Sequence, residues 1–93
     1  MDAQIQIDPH TLKRAEERGA TESEIRDVLR TGMAVPAKKS RLGRTKVYPF
    51  NRERNGKLYE QKRIEVYYVE EAERIITVTV YVFYGKWEGE PCK

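Results

Sequence analysis

His10 is the only imidazole in the 93 residues of this chain, and with an unperturbed pKa of about 6.5 such a group exchanges protons readily at neutral pH. Lys62, Arg63 and Glu65 lie close together further on, and Tyr81 and Tyr84 follow near the end. Residues of these types suffice for one demanding reaction. Attack of an RNA 2′-hydroxyl on the adjoining phosphate needs a base, an acid and cations to stabilise charge, but neither a metal nor a protein nucleophile. In that scheme His10 or Glu65 takes the proton, Tyr81 or Lys62 serves as acid or charge stabiliser, and Arg14, Arg18 and Arg63 hold phosphate. Each residue also has an ordinary reading. His10 can be a polar residue of a first helical turn, Lys62 a rim residue at the end of an apolar stripe, and Tyr81 and Tyr84 core or edge packing.

Other chemistries fit less well. One His, one Cys (Cys92) and no acids at ligand spacing make no evident metal site, so no metal and no other cofactor is expected. The two serines, Ser23 and Ser40, have no positioned base, and no Gly-rich phosphate loop is present.

The net charge of +3 hides an asymmetry. From Lys38 to Arg63 there are ten cations against Glu53 and Glu60, a local balance of +8, which leaves −5 for the rest of the chain. A field so lopsided draws a polyanion to one region and suits RNA, the ribosome or an acidic protein partner; a solvated basic loop is the plainer alternative. Arg41, Arg44 and Lys46 from this segment, with Arg14, Arg18, Arg63 and Tyr84, are the candidate RNA contacts. Trp87 is a further residue able to stack on a base.

The elements that must position these groups are announced by local signals. Asp8-Pro9 starts a first helix that ends at Gly19, with His10, Arg14 and Arg18 along one flank. Thr21 and Glu24 form a capping box for a second helix whose Ile25, Val28 and Leu29 make an apolar face, with Gly32 as a left-handed stop. Extended segments follow over Met33–Ala37, Lys46–Phe50, Tyr59–Glu70 and Ile75–Phe83. Pro36 puts the first of these at an edge, and the long third segment is expected to carry a bulge or bend. Alternation assigns Ile76, Val78, Val80 and Val82, with Ile64, Val66 and Tyr68, to the face covered by the helices. Arg63, Glu65, Tyr67, Thr77, Thr79, Tyr81 and Phe83 fall on the other. The expected fold is therefore α+β, an N-terminal helix hairpin packed on one face of a three- to four-stranded antiparallel meander.

Length allows one domain over residues 1–93, with an ordered core from about 8 to 88. The absence of paired cysteines fits a reducing compartment, and no apolar run is long enough for a bilayer, so a cytoplasmic protein away from membranes is expected.

These residues carry a resemblance. The run His10-x3-Arg14-x3-Arg18-Gly19-x-Thr21-x2-Glu24, then Tyr59-x2-Lys62, Glu65-Val66-Tyr67-Tyr68, Thr77-Val78-Thr79-Val80-Tyr81 and Tyr84-Gly85, resembles a small bacterial family of unknown function. The fold of that family is similar to RelE-type and barnase- or colicin-like ribonuclease toxins. The likeness spans roughly residues 8 to 88 and implies a metal-independent endoribonuclease of the mRNA interferase type. It equally admits a non-catalytic RNA- or ribosome-binding module, or a domain pairing with an acidic antitoxin by adding a strand at Met33–Ala37. Toxins of that kind usually have a His, Arg or Tyr near the C-terminus, where this chain reads Gly89-Glu90-Pro91-Cys92-Lys93.

Overall fold

The computed structural model describes residues 4–87; Cys92 and the tail from Gly89 lie outside them. The architecture is α+β, with two helices and a five-stranded mixed sheet. Helix α1 spans Pro9–Arg18 and α2 spans Glu22–Thr31. The strands are β1 (Gln4–Gln6), β2 (Met33–Val35), β3 (Leu42–Arg54), β4 (Lys57–Glu71) and β5 (Arg74–Gly85), in the spatial order β1-β5-β4-β3-β2.

The helix signals act as the sequence suggests. The Asp8 side chain accepts from the His10 amide at 2.8 Å, and Pro9 occupies the first turn, where a missing N–H costs nothing. In α2, Thr21 Oγ1 accepts from Glu24 N while Glu24 Oε1 accepts from Thr21 N, closing the capping box. Gly32 departs from expectation. Its φ is −76°, extended backbone and not a left-handed stop, and its use is closeness: a Cβ there would lie 2.5 Å from Val28 O and 2.7 Å from Thr45 O.

The sheet corrects the expected three- to four-stranded antiparallel meander. Strands β2 to β5 are antiparallel neighbours, but β1 adds a fifth strand parallel to β5, pairing Gln4 to Gln6 with Arg74 to Ile76. Three residues with one apolar side chain make no periodic signal, and the pairing joins opposite ends of the chain. The order of the core therefore begins before residue 8, with Ile5 and Ile7 packed against it. The helix hairpin also needs correction. Thr11 and Ala15 of α1 and Ile25, Val28 and Leu29 of α2 are buried against the sheet, α1 over β5 and α2 over β3 and β4. Little apolar surface is left for the helices to offer one another.

A bulge reassigns one face of the sheet. Tyr67 pairs with Thr79 and Tyr68 with Thr77, so β5 carries one extra residue, Val78, opposite the long β4. Past it the alternation inverts. Val80 and Val82 lie against the helices as expected, but Thr77 and Ile75 replace Val78 and Ile76 there. Thr77 is buried and its hydroxyl accepts from the Asp8 amide at 3.0 Å, which ties the start of α1 to β5. A second irregularity between Pro49 and Arg52, with Asn51 at φ 49°, bends β3. The β3–β4 hairpin runs on beyond Gln61, the last residue of β4 paired with β5, as an arm, and the described residues together measure 42 × 28 × 25 Å.

Cations on the helix side fasten α2. Lys46 Nζ lies 2.6 Å from Asp27 Oδ2 and 2.6 Å from Thr31 Oγ1, and Tyr48 Oη donates to the same Asp27 oxygen at 2.6 Å. The hydrogen bond from Lys46, then that from Tyr48, holds the Asp27 carboxyl below its ordinary 3.8, while burial and Asp27 push the Tyr48 hydroxyl far above its ordinary value. A carboxyl depressed on folding stabilises fully above its unfolded value and ceases to do so as pH falls through the lower folded one. Acid unfolding of Asp27→Asn, followed by circular dichroism below pH 3.8, is therefore expected to be shallower than that of the wild type.

Candidate functional site

Four of the ten cations of the basic segment are turned inward, where they dock helices. Arg44 Nη1 donates to Gly32 O at 2.9 Å and its Nε to Tyr68 Oη at 3.3 Å. Lys46 holds Asp27, and Arg54 Nη2 donates to Glu17 O at 3.1 Å. Lys62 is only 7 % exposed, its ammonium 2.8 Å from Gly19 O and 3.0 Å from Glu24 Oε2. The local balance of +8 thus exceeds the charge presented to a ligand. Lys38, Lys39, Arg41, Arg52 and Lys57 are the exposed members of the run.

The chemistry-bearing residues do not converge. His10 stands exposed at the start of α1, and Arg14 is half-buried further along that helix. Lys62 and Tyr84 share the helix side with Tyr48, where Tyr84 Oη donates to Arg18 O at 2.7 Å. Glu65 and Tyr81 are cross-strand partners on the opposite, open face. Lys62, His10 and Tyr81 therefore occupy three separate surfaces.

What does converge lies on the open face. Rows of paired residues run across it: Gly43, Tyr67 and Thr79; Thr45, Glu65 and Tyr81; Val47, Arg63 and Phe83. Tyr67 Oη donates to Glu65 Oε1 at 3.0 Å, and Arg63 Nε lies 3.4 Å from Glu65 Oε2 and 3.1 Å from Thr45 Oγ1. The Tyr67 and Tyr81 rings meet edge to face at 5.9 Å. Arg18 reaches over from α1, its guanidinium 5.2 Å from the Tyr81 ring centre and Nη1 2.6 Å from Val80 O. Burial, then the hydrogen bond to Glu65, raises the Tyr67 hydroxyl above its ordinary value, so that hydroxyl stays protonated at neutral pH.

Beside this cluster the turn between β2 and β3 closes a cleft of about 300 Å³ lined by Pro36, Ala37, Lys38, Arg41, Tyr67, Thr79 and Tyr81. The turn is shaped by Lys39 at φ 61° and by a backbone bond from Arg41 N to Lys38 O at 3.2 Å. Lys38 and Arg41, two exposed cations, thereby border the tyrosines. No family model, curated protein or solved structure matches this chain. The site must be read from its own groups.

Of the expected residues, the open face gathers Glu65, Tyr81, Arg63 and Arg18, with Arg41 in the cleft beside them. It leaves His10, Arg14, Arg44, Lys46, Lys62 and Tyr84 elsewhere. Lys38, Tyr67, Thr79 and Phe83 were not singled out from the sequence as binding residues, although alternation alone puts the last three on this face. Trp87 donates its backbone N–H to Gln61 Oε1 at 2.6 Å, beyond the end of β5. Among the described residues no cluster of His, Cys, Asp and Glu forms a metal site, and no helix is long and apolar enough to cross a membrane.

Proposed function

We propose that this protein binds unpaired RNA across the open face of its sheet, with the cleft at Lys38 and Arg41 as the phosphate-gripping end. The observation that carries this is the cleft itself, whose lining brings two exposed cations, Lys38 and Arg41, together with Tyr67 and Tyr81. Cations placed beside aromatic faces meet the two needs of single-strand binding, backbone neutralisation and base stacking. The likeness to ribonuclease-type toxins, stated from the sequence, is consistent with an RNA ligand.

A second reading, metal-independent cleavage, is favoured by one feature. Glu65 is a carboxylate held beside Arg63, Tyr67 and the cross-strand Tyr81, a base, a cation and protonated hydroxyls in one place. Binding is the preferred reading because Lys62 and His10 stand apart from that cluster, and because Glu65 is already engaged by two neighbours.

Titration of a labelled, unstructured RNA in EDTA at 50 and 200 mM salt tests both, as concentrations that separate phosphate-driven binding on the order of what counterion release predicts. Affinity is expected to fall steeply with salt, the RNA to stay intact, and the Lys38→Glu/Arg41→Glu double variant to bind about ten-fold or more weakly. A flat salt response, or a double variant that binds like wild type, sinks the binding proposal. Strand scission that disappears in Glu65→Gln while affinity persists shifts the function to cleavage.

A further inference from the structure

On the reading of this face as an RNA surface, we infer that Tyr81 and Phe83 form a strip that stacks two successive unpaired bases. Both side chains are exposed, by 42 % and 46 %, and being neighbours they make an apolar patch on the sheet. They stand two residues apart on one strand and so point to the same side. Their ring centres are 6.4 Å apart and their planes differ by 23°. That spacing is the strand's own two-residue repeat, roughly 6.6 Å, so the rings offer two parallel stations in series.

The first station is held in place from two sides. Tyr67 meets Tyr81 at 76°, and Tyr67 is itself fixed through its hydroxyl to Glu65. Arg18, anchored on Val80 O at the edge of β5, lies over the same ring. A ring already ordered loses little freedom when a base settles on it. Tyr81 also lines the cleft that contains Lys38 and Arg41, so a base on Tyr81 sets its phosphate toward those cations. Phe83 continues the strip toward the row of Val47 and Arg63.

Stacking reads the face of a base and not its edge, so the strip accepts any sequence. It demands bases free of pairing, because an A-form duplex keeps its base faces stacked inside the helix. The ligand class is therefore a segment of at least two unpaired nucleotides, with little preference among the four bases.

The test uses the full chain and fluorescence anisotropy with four labelled probes: oligo-U, oligo-A, the duplex those two form, and an abasic oligomer of equal length. Wild type is expected to bind both single strands alike and to bind the duplex and the abasic oligomer on the order of ten-fold or more weakly. Tyr81→Leu and Phe83→Leu should each weaken oligo-U binding by about ten-fold while leaving its salt slope unchanged, and Tyr81→Phe should bind like wild type. The abasic probe needs no substitution and so keeps the inference falsifiable if a variant fails to fold. Should the Leu variants and the abasic probe match their controls while Lys38→Glu/Arg41→Glu loses binding, the stacking strip falls and the RNA surface stands. Absence of salt-dependent binding to every probe would remove the RNA surface itself. Sedimentation showing a wild-type dimer that the Leu variants dissociate would assign the two rings to a second copy of this chain and overturn the strip.

Discussion

Lys62→Met is expected to lower stability by about 2–3 kcal/mol, because it removes the cation from a mostly buried carboxylate, which keeps its bond from the Thr21 amide, and the donor from a backbone carbonyl at once. The ammonium is bonded to Gly19 O at 2.8 Å and lies 3.0 Å from Glu24 Oε2, in a side chain 8 % exposed. Glu24 retains 23 % exposure and regains some hydration after the change, which holds the loss at or below the roughly 3–5 kcal/mol typical of broken buried pairs. For a domain of this size such a loss corresponds to a fall of roughly 10–20 °C in Tm. Calorimetry or denaturant unfolding measures it directly. The folded fraction of Lys62→Met is expected to bind RNA as wild type does, since Lys62 faces α2 and not the open face. Wild-type stability combined with lost RNA affinity or cleavage would make Lys62 a ligand-contacting residue and defeat this structural role.

The same corner of the molecule yields the second large effect. Gly19 sits at φ 96°, a conformation that costs an L-residue roughly 1–2 kcal/mol. A Cβ there would also overlap the Tyr84 hydroxyl and lie 3.0 Å from Arg54 Nη1. Tyr84 has little room to withdraw: Phe50 and Tyr59 rings stand 5.1 and 5.6 Å away and the Arg54 guanidinium covers it at 4.9 Å. Gly19→Ala is therefore expected to cost about 3 kcal/mol in total, backbone strain plus the lost bond from Tyr84 to Arg18 O. The overlap makes a coupling prediction. In a Tyr84→Phe background, where the hydroxyl is gone, Gly19→Ala should cost less than in wild type by on the order of 1 kcal/mol. Strictly additive losses in that double-mutant cycle would show that the hydroxyl does not oppose the new methyl group.

Lys62, Tyr84, Arg54 and Gly19 together explain how α1 and α2 are joined. Their contacts bolt the turn between the helices onto β3, β4 and the end of β5, so helices that offer each other little apolar surface still keep a fixed placement on the sheet. That placement lets Arg18 extend past the sheet edge to Val80 and Tyr81. The basic flank read along α1 thus contributes to the open face through its last member, while His10 and Arg14 remain on the helix.

The charge pattern illustrates why a count of cations is a poor guide to a binding surface. Arg44, Lys46, Arg54 and Lys62 are as basic in sequence as Lys38 and Arg41, yet each donates to a helix carbonyl, hydroxyl or carboxylate. Alternation does sort several of them, because Arg44, Lys46 and Lys62 fall in rows with Val66, Ile64 and Tyr48 on the helix side. What it omits is that α2 supplies Asp27, Thr31 and Glu24 to receive them, which only the packing of that helix decides.

Signals that act over a few residues were legible without a structure. Asp8-Pro9, the Thr21–Glu24 capping box, the apolar face of Ile25, Val28 and Leu29, and the extended character of β3 to β5 all follow from hydrogen bonding and side-chain periodicity within one segment. The opposite orientations of Lys62 and Tyr81 followed from the same periodicity. Only the tertiary structure decided the rest. The strand Gln4–Gln6 exists because β5, far along the chain, offers an edge to pair with. Val78 is passed over in the register between β4 and β5, and that one extra residue puts Thr77 inside and Ile76 outside. The cleft depends on a turn after β2 being folded back beside the tyrosines of β4 and β5. Each of these is a non-local contact, in which the free energy of a residue depends on a partner whose distance along the chain no local pattern encodes.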